Sequence, residues 1–305
     1  MTDLTSSLDA GPTSDIELEH LSPAAVILRR FLRHRLAVAS MVILCLLAAG
    51  VILAPSLASD PEKINLKQKL LPPSLTHPMG TDDLGRDQLS RILYGGRISL
   101  TVGILATSLS LLFGTSIGLI AGYTGGWIDN GLMRITDMFL SFPSLFVLIL
   151  LGALLSDTSL ATYGGGLLII VLVIGLLSWM PTARLVRGTV LSIRSMEYID
   201  ASRGLGGSNL RIMLVHILPN SLGAIIVRGA LQTAYSILTE SGLSYLGFGI
   251  QPPTPTWGNM LNGAQTYMTT YPWLAIFPGI AIFVTVISVN FIGDGLRDAF
   301  DPRSL

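Results

Sequence analysis

The sequence predicts an all-α polytopic membrane protein with six transmembrane helices. Half of the 305 residues are hydrophobic, only 12% are charged, and the mean hydropathy is +0.63. A water-soluble domain of this composition would be hard to keep in solution, whereas a helix that crosses the hydrocarbon layer needs about 20 mostly apolar residues. Stretches of this kind lie approximately at residues 36–57, 98–122, 135–155, 164–184, 217–241 and 273–293.

The first span, 36–57, separates a polar segment from a long loop. We expect residues 1–35 to form a cytoplasmic tail, of which the first 20, acidic and without apolar periodicity, are disordered. Residues 58–97 are predicted to form an outer loop. A cleaved signal peptide ending at "APSLAS" is the alternative, but a long segment precedes this apolar run, and the run is longer than a signal peptide requires.

The other spans form a five-helix core at 98–293, which contains a polar loop at 195–217 and is followed by a tail at 294–305. Lys and Arg tend to remain cytoplasmic in short loops. Arginines cluster between the fourth and fifth spans, whereas residues 245–272 contain neither Lys nor Arg. The first outer loop mixes basic with acidic residues and is long, so it carries less weight. We therefore expect both tails and the loop 195–217 to be cytoplasmic.

The polar loop has the chemistry of a helical hairpin. In "EYIDASRGLGGSNLRIMLVHILPN" (197–220), a first short helix can end before the glycines, and Ser208 can cap a second helix that runs to about residue 217. Pro219 then opens the fifth span at little cost. An ordinary connection is the alternative, but it would be shorter. The small residues Ala201 and Ser202 permit close approach, so we expect the hairpin to dock into a partner.

The hairpin resembles a known motif. Its order is Asp200-Ala201-Ser202, three residues, Gly206, nine residues, and His216-Ile217-Leu218-Pro219. This order is similar to the "EAA" loop of ABC importer permeases, from which Asp200 and Ser202 depart by one substitution each. In that family the loop inserts a coupling helix into a cytoplasmic ATPase subunit. The resemblance implies that coupling to the ATPase rests on Asp200, Ala201, Ser202, Arg203 and Gly206.

Four longer blocks narrow the resemblance, which covers about 270 residues, to the second, C-type permease of the dipeptide, oligopeptide and nickel group. They are "HPMGTDDLGRDQLSRILYGGRISL" (77–100), "GYTGGWIDNGLMRITDMFLSFP" (122–143), "ESGLSYLGFGIQPPTPTWGNML" (240–261) and "FPGIAIFVTVISVNFIGDGLRDAFDPR" (277–303). The resemblance implies a type I ABC importer fold in a bacterial or archaeal plasma membrane. It also implies a homologous permease subunit, one or two ABC ATPase subunits and an extracellular substrate-binding protein as partners.

The chain lacks the residues that ATP hydrolysis requires. A phosphate-binding loop needs glycines and a lysine at a helix start, but the only lysines are Lys63, Lys67 and Lys69, outside any such loop. We expect no cofactor on this chain, with ATP and Mg bound by partner ATPases. The four histidines are scattered, so no metal site is predicted. The zero net charge gives no indication of a nucleic-acid partner.

The implied function is one half of a binding-protein-dependent import pathway for di- or oligopeptides, with nickel or another small solute as the alternative. Import through a secondary transporter that needs no ATPase is disfavoured, because the two halves show no repeat and only one charge lies mid-span. An intramembrane enzyme is also disfavoured, since no nucleophile is paired with a base.

Ionisable residues within spans usually face a water-filled cavity or a partner. Arg228 lies near the middle of the fifth span and Asp137 near the start of the third. Arg228 could attract a peptide carboxylate. An ion pair with Asp137, Glu240 or the partner subunit is the alternative. With Arg228, the residues Gln232, Thr233 and Ser236 form a polar row at helical spacing, which suits pathway lining or helix packing equally.

The outer loop 242–262 is constrained by three prolines and contains Trp257. An amphipathic tryptophan suits an interface, so this loop either docks the binding protein or caps the bundle. The resemblance favours an outer gate that includes Trp257 and Glu240, which opens the family block at the outer end of the fifth span.

Overall fold

The computed structural model describes residues 22–156, 158 and 166–301. Within these residues the predicted all-α class is confirmed, because the chain forms helices and its only strand-like pairing is one isolated bridge between Thr81 and Asp87. The expected disorder of residues 1–20 concerns a segment outside the described residues. Positions 164 and 165 of the fourth span and residues 302–305 of the second tail also lie outside the described residues.

Eleven helices of at least two turns form the described chain. They are α1 (Pro23–Arg33), α2 (Arg35–Ile52), α3 (Gln88–Thr124), α4 (Gly126–Leu140), α5 (Ser144–Ser156), α6 (Leu167–Leu177), α7 (Trp179–Arg194), α8 (Glu197–Gly204), α9 (Leu218–Tyr245), α10 (Trp257–Ala264) and α11 (Trp273–Phe300). Single turns at Ala54–Leu57, Leu66–Gln68, Asn209–Arg211 and Gln265–Tyr267 connect them, and a π-helical segment, Ile212–Ile217, leads into α9.

Five continuous helical segments are long and apolar enough to cross a membrane. They are Arg35–Ile52, Gln88–Thr124, Leu167–Arg194, Asn209–Tyr245 and Trp273–Phe300, and the bent pair α4 and α5 makes a sixth if it counts as one span. The chain is therefore a multi-pass membrane protein.

The third span, predicted as one helix at 135–155, is instead broken. The axes of α4 and α5 differ by 83° across residues 141–143. Pro143 explains the break, because it offers no backbone N–H and disfavours helical backbone at Phe142 before it. Hydropathy alone could not detect the bend, since apolar composition continues through it.

Two helices extend beyond the predicted spans into polar sequence. Helix α3 begins at Gln88 rather than at residue 98, because the Asp87 side chain caps it by accepting a hydrogen bond from Ser90 N at 2.8 Å. Its first polar residues are buried with partners, because Arg91 Nη1 donates to Pro61 O of the outer loop at 3.4 Å and Gln88 Nε2 donates to Leu274 O of α11 at 3.1 Å. Helix α11 continues to Phe300, through residues expected in the tail 294–305. Within the expected tail 1–35, residues Pro23–Arg33 form α1.

Helix α3 lies at the centre and approaches α7 closely through a row of glycines. A Cβ atom on Gly114 would lie 2.6 Å from Thr182 Cβ, one on Gly118 would lie 2.5 Å from Ala183 O, and one on Gly122 would lie 2.8 Å from Val190 Cβ. These distances are too short for any side chain, so the two backbones meet directly. The sequence reasoning missed this row, although the four-residue spacing of its glycines is a signal of close helix packing.

Candidate functional site

The loop 195–217 forms the predicted hairpin. Helix α8 is followed by a turn in which Gly206 has φ +84°, a left-handed conformation that glycine adopts without strain. Gly207 N donates to Ser202 O at 3.0 Å, and a Cβ on Gly207 would lie 2.8 Å from that oxygen. Ser208 caps the next turn as expected, since its Oγ accepts from Arg211 N at 3.4 Å. The two glycines are thus required for different reasons.

The inner surface of the hairpin is anchored to the membrane helices. Ile199, Ile212 and Ile217 are fully buried in one apolar cluster with residues of α3 and α7. Polar contacts add to this anchor, because Tyr123 Oη donates to Asn209 Oδ1 at 2.8 Å and the Arg203 guanidinium lies 5.5 Å from the Tyr123 ring centroid. A displacement of the hairpin must therefore move the ends of α3 and α7.

The outer surface of the hairpin is accessible. Asp200, Ala201, Arg203 and Gly206 are exposed, whereas Ser202 is half-buried beneath the turn. Arg203 Nη1 donates to Asp200 Oδ1 at 3.0 Å, an exposed pair of small energetic value. Leu205, at the tip, is 90% exposed. An exposed leucine beside charged residues on a rigid support is typical of a protein-docking surface.

The structure joins Arg228 and Gln232 within a polar row between α3, α7 and α9. Half-buried Arg228 donates from Nη2 to Gln232 Oε1 at 2.9 Å. Gln232 is buried and donates from Nε2 to Ser236 Oγ at 3.4 Å, and Ser236 Oγ lies 3.3 Å from Thr107 Oγ1. Thr233 does not join, because its hydroxyl donates to Gly229 O of its own helix.

The suggested ion pairs of Arg228 are not formed within the described chain. Asp137 contacts Arg184 instead, and both side chains are about half exposed. Glu240 is bonded to serine hydroxyls. Among the described residues no carboxylate lies within 4.0 Å of the Arg228 guanidinium. Asp137 and Arg228, grouped by the sequence reasoning, thus belong to different clusters.

An ion pair that the sequence did not indicate joins buried Asp129 of α4 to half-buried Arg187 of α7. Arg187 donates from Nε to Asp129 Oδ1 at 2.5 Å and from Nη2 to Oδ2 at 2.6 Å, and Asp129 is buried. Arg194 donates from Nη1 to Tyr123 O at 2.8 Å and thereby satisfies the end of α3. No spacing rule relates residues so far apart in sequence. The arginines used to orient the chain therefore also hold its helices together.

The two predicted outer residues meet through Ser99. Glu240 is fully buried, and it accepts from Ser99 Oγ at 2.9 Å and from Ser244 Oγ at 2.8 Å. Trp257 N donates to the same Ser99 Oγ at 3.4 Å. The expectation that Trp257 lies at an interface is wrong, because it is 1% exposed and its indole fills the space left by Gly96. This network therefore fixes the start of α10 to α3 and α9.

Residues 114–305 match the family described as "Binding-protein-dependent transport system inner membrane component", and residues 22–73 match the "N-terminal TM domain of oligopeptide transport permease C". The match to the first family covers more than half of the chain.

Curated relatives cover nearly the whole chain. The chain is 43% identical over 277 residues to the glutathione transport system permease protein GsiD of Pectobacterium atrosepticum. The aligned region covers 90% of this chain and 89% of the relative. It is 40% identical over 293 residues to the dipeptide transport system permease protein DppC of Alkalihalophilus pseudofirmus (96% and 94%). It is 38% identical over 296 residues to the oligopeptide transport system permease protein OppC of Bacillus subtilis (97% and 94%).

Proposed function

The chain belongs to the family of binding-protein-dependent transport system inner membrane components, and from this premise we propose that it is a permease subunit of an ATP-driven importer of di- or oligopeptides. It is a transport subunit rather than an enzyme. The named substrates of its relatives are glutathione, dipeptides and oligopeptides, which favours peptides over nickel for this chain. We place it in a bacterial or archaeal plasma membrane with both tails cytoplasmic.

The proposed assembly contains three further kinds of subunit. A homologous permease would complete the pathway, separate ABC ATPase subunits would bind ATP and Mg, and an extracellular protein would deliver the peptide. The observation that carries the proposal is the hairpin, which is exposed on one surface and buried against α3 and α7 on the other. Such a segment can transmit force between a soluble partner and the membrane helices.

Each step of transport then corresponds to a contact of this chain. Closure of the ATPase subunits displaces the hairpin through Asp200, Ala201, Arg203 and Gly206, while Ser202 holds the turn. Because the inner surface of the hairpin is buried against α3 and α7, these helices follow and the pathway opens outward. Hydrolysis on the partner releases the hairpin. The ATPase drives this change only by binding the two states of the permease with different affinities.

Site-directed crosslinking tests this assignment. Cys45 is the only cysteine, so a Cys45→Ser background allows single cysteines at Ala201, on the hairpin, and at Leu75, fully exposed in the outer loop. We expect Ala201→Cys to crosslink to an ATP-hydrolysing subunit and Leu75→Cys to react with a membrane-impermeant thiol reagent from outside. Reaction of Ala201→Cys from outside, or its shielding from reagents on both sides, would contradict the proposal.

Arg228 is proposed to recognise the carboxylate of the peptide. The guanidinium is half-buried, has no carboxylate partner in the described chain, and is oriented by Gln232. A charge-assisted hydrogen bond contributes about 1.5–3 kcal/mol, or roughly 10- to 150-fold in affinity. We expect Arg228→Gln to reduce uptake of a free-acid dipeptide by at least about tenfold and to change uptake of the C-terminal amide little.

Arg228→Lys is the matched variant, because it keeps the charge and loses the planar geometry. Its uptake of the free acid should lie between those of the wild type and Arg228→Gln. If Arg228→Gln takes up the free-acid dipeptide and its C-terminal amide in the same ratio as the wild type does, Arg228 does not recognise the carboxylate.

The Glu240 network is proposed to hold the outer gate by fixing the start of α10. Replacing Glu240 with alanine leaves the buried Ser99 and Ser244 hydroxyls without their acceptor, at a cost of about 1–3 kcal/mol for each unsatisfied group. We expect a lower thermal midpoint and reduced uptake. Glu240→Gln keeps one acceptor oxygen and should be milder.

A double-mutant cycle with Ser99→Ala separates a shared network from two independent losses of stability. The effects of Glu240→Ala and Ser99→Ala should overlap, so that the double variant is scarcely worse than Glu240→Ala alone. Strictly additive effects would mean that Ser99 does not connect Glu240 with α10.

A further inference from the structure

Helix α1 is docked on the end of α11 at the membrane side that carries the hairpin. Ile27 and Phe31, one turn apart, pack against Ala299, and Arg30 Nη1 donates to Asp301 O at 3.0 Å. The neighbouring Phe300 packs on Gly223, close to where α9 leaves the hairpin. The position of α1 is therefore fixed by tertiary contacts.

A single residue, His34, connects α1 to the membrane-spanning α2. Its Nδ1 accepts a hydrogen bond from Ala37 N at 3.1 Å, so it caps α2. Because α2 begins at Arg35 and its first turns are already apolar, α1 must lie at the level where the bilayer meets water. This depth is that of the lipid headgroups.

Two further rows run along α1: a leucine row adjoins the docked row of Ile27 and Phe31, and an arginine row lies beyond the leucines. Leu28 and Leu32 are 58% and 59% exposed and form an apolar row, and Leu36, at the start of α2, is 56% exposed. The next row contains the exposed Arg29 and Arg33. Successive helix residues are about 100° apart, so the arginine row borders the leucine row. The sequence of α1, PAAVILRRFLR, contains no acidic residue.

We propose that α1 is an interfacial helix that binds the headgroups of anionic phospholipids through Arg29 and Arg33. With the leucine row embedded at the boundary of the acyl chains, the long arginine side chains reach the phosphate level beside it. The charge of the row and its depth favour lipid over a soluble partner, because a soluble protein would have to cover leucines that the bilayer already covers. This inference goes beyond the proposed transport function and does not rest on it.

Native mass spectrometry of the full chain, titrated with phosphatidylglycerol or with phosphatidylcholine of the same acyl chains, tests the proposal. Each basic residue near an anionic surface contributes about 1 kcal/mol, so the variant Arg29→Gln/Arg33→Gln should weaken phosphatidylglycerol binding by roughly 30-fold. Phosphatidylcholine binding should not change. Arg211→Gln, which removes an exposed charge from the hairpin, should bind phosphatidylglycerol as the wild type does.

Three outcomes would overturn the proposal. The first is equal binding of phosphatidylglycerol by the wild type and the double variant. The second is an equal loss in Arg211→Gln, which would show a general charge effect. The third involves the acidic residues 1–20: if discrimination between the two lipids appears only after deletion of residues 2–20, the arginine row is occupied by the chain's own acidic segment rather than by lipid.

Discussion

Replacing Gly206 with tryptophan is expected to abolish peptide uptake while the chain remains folded and inserted in the membrane. The φ angle of +84° costs an ordinary side chain about 1–2 kcal/mol. Nothing lies within 4 Å of a Cβ at this exposed position, so a side chain introduced here begins in open space. It would instead stand on the surface proposed to contact the ATPase. Uptake and peptide-stimulated ATP hydrolysis should both fall by more than about tenfold, the loss that 1.4 kcal/mol of docking energy produces.

Alanine variants separate backbone strain from bulk at this turn. Gly206→Ala adds the strain of a left-handed φ with little volume, and should reduce coupling partially. Gly204→Ala is the matched control, because Gly204 is also exposed with no atom near a Cβ, but its φ is ordinary. Uptake by this control should remain near the wild-type rate. Wild-type uptake by Gly206→Trp would show that the turn does not face the ATPase.

Replacing Gly118 with leucine should prevent α3 from packing on α7, and this is the largest expected loss of stability. Even a Cβ atom at this position lies 2.5 Å from Ala183 O and 2.8 Å from Val186 Cβ. A backbone oxygen cannot rotate away, so the helices must separate, at a cost of about 3 kcal/mol or more. We expect loss of the monodisperse peak in size-exclusion chromatography and a much lower thermal midpoint.

Gly188→Leu is the control for the Gly118 variant. Gly188 lies on α7, its Cβ position is open, and it is exposed. Both variants add the same apolar volume to a membrane helix, so hydrophobicity and insertion are matched. Gly188→Leu should elute and melt as the wild type does. If Gly118→Leu were equally stable, the direct backbone contact of α3 and α7 would be disproved.

The sequence predicted the helical class and the hairpin because both follow from local signals. Apolar runs of membrane length identify spans, and the glycines with Ser208 identify the turn and cap. The direction of a helix axis does not follow from such local signals, because the apolar run around Pro143 continues through a sharp bend. Residues of α1 were assigned to a tail because their partner, the end of α11, is distant in sequence.

The contacts of the candidate sites likewise divide into those that spacing in the sequence predicts and those that depend on tertiary structure. Arg228 and Gln232 are four residues apart on one helix, so their contact could be expected from spacing. The burial of Trp257 depends on Gly96 of another helix, and the pairing of Arg187 with Asp129 depends on how α4 meets α7. These contacts arise only from tertiary structure. A residue type such as tryptophan therefore indicates what a side chain can do but not where it lies.

Helix α3 connects the two ends of the molecule without interruption. Its Tyr123 bonds to the hairpin and its Ser99 belongs to the Glu240 network, and the helix between them is continuous. At 1.5 Å per residue, its 37 residues extend over roughly 55 Å. Because the helix is continuous, a displacement of its hairpin end also displaces the end that carries Ser99. Spectroscopic probes at the two ends should therefore report a single, synchronous transition with one rate constant.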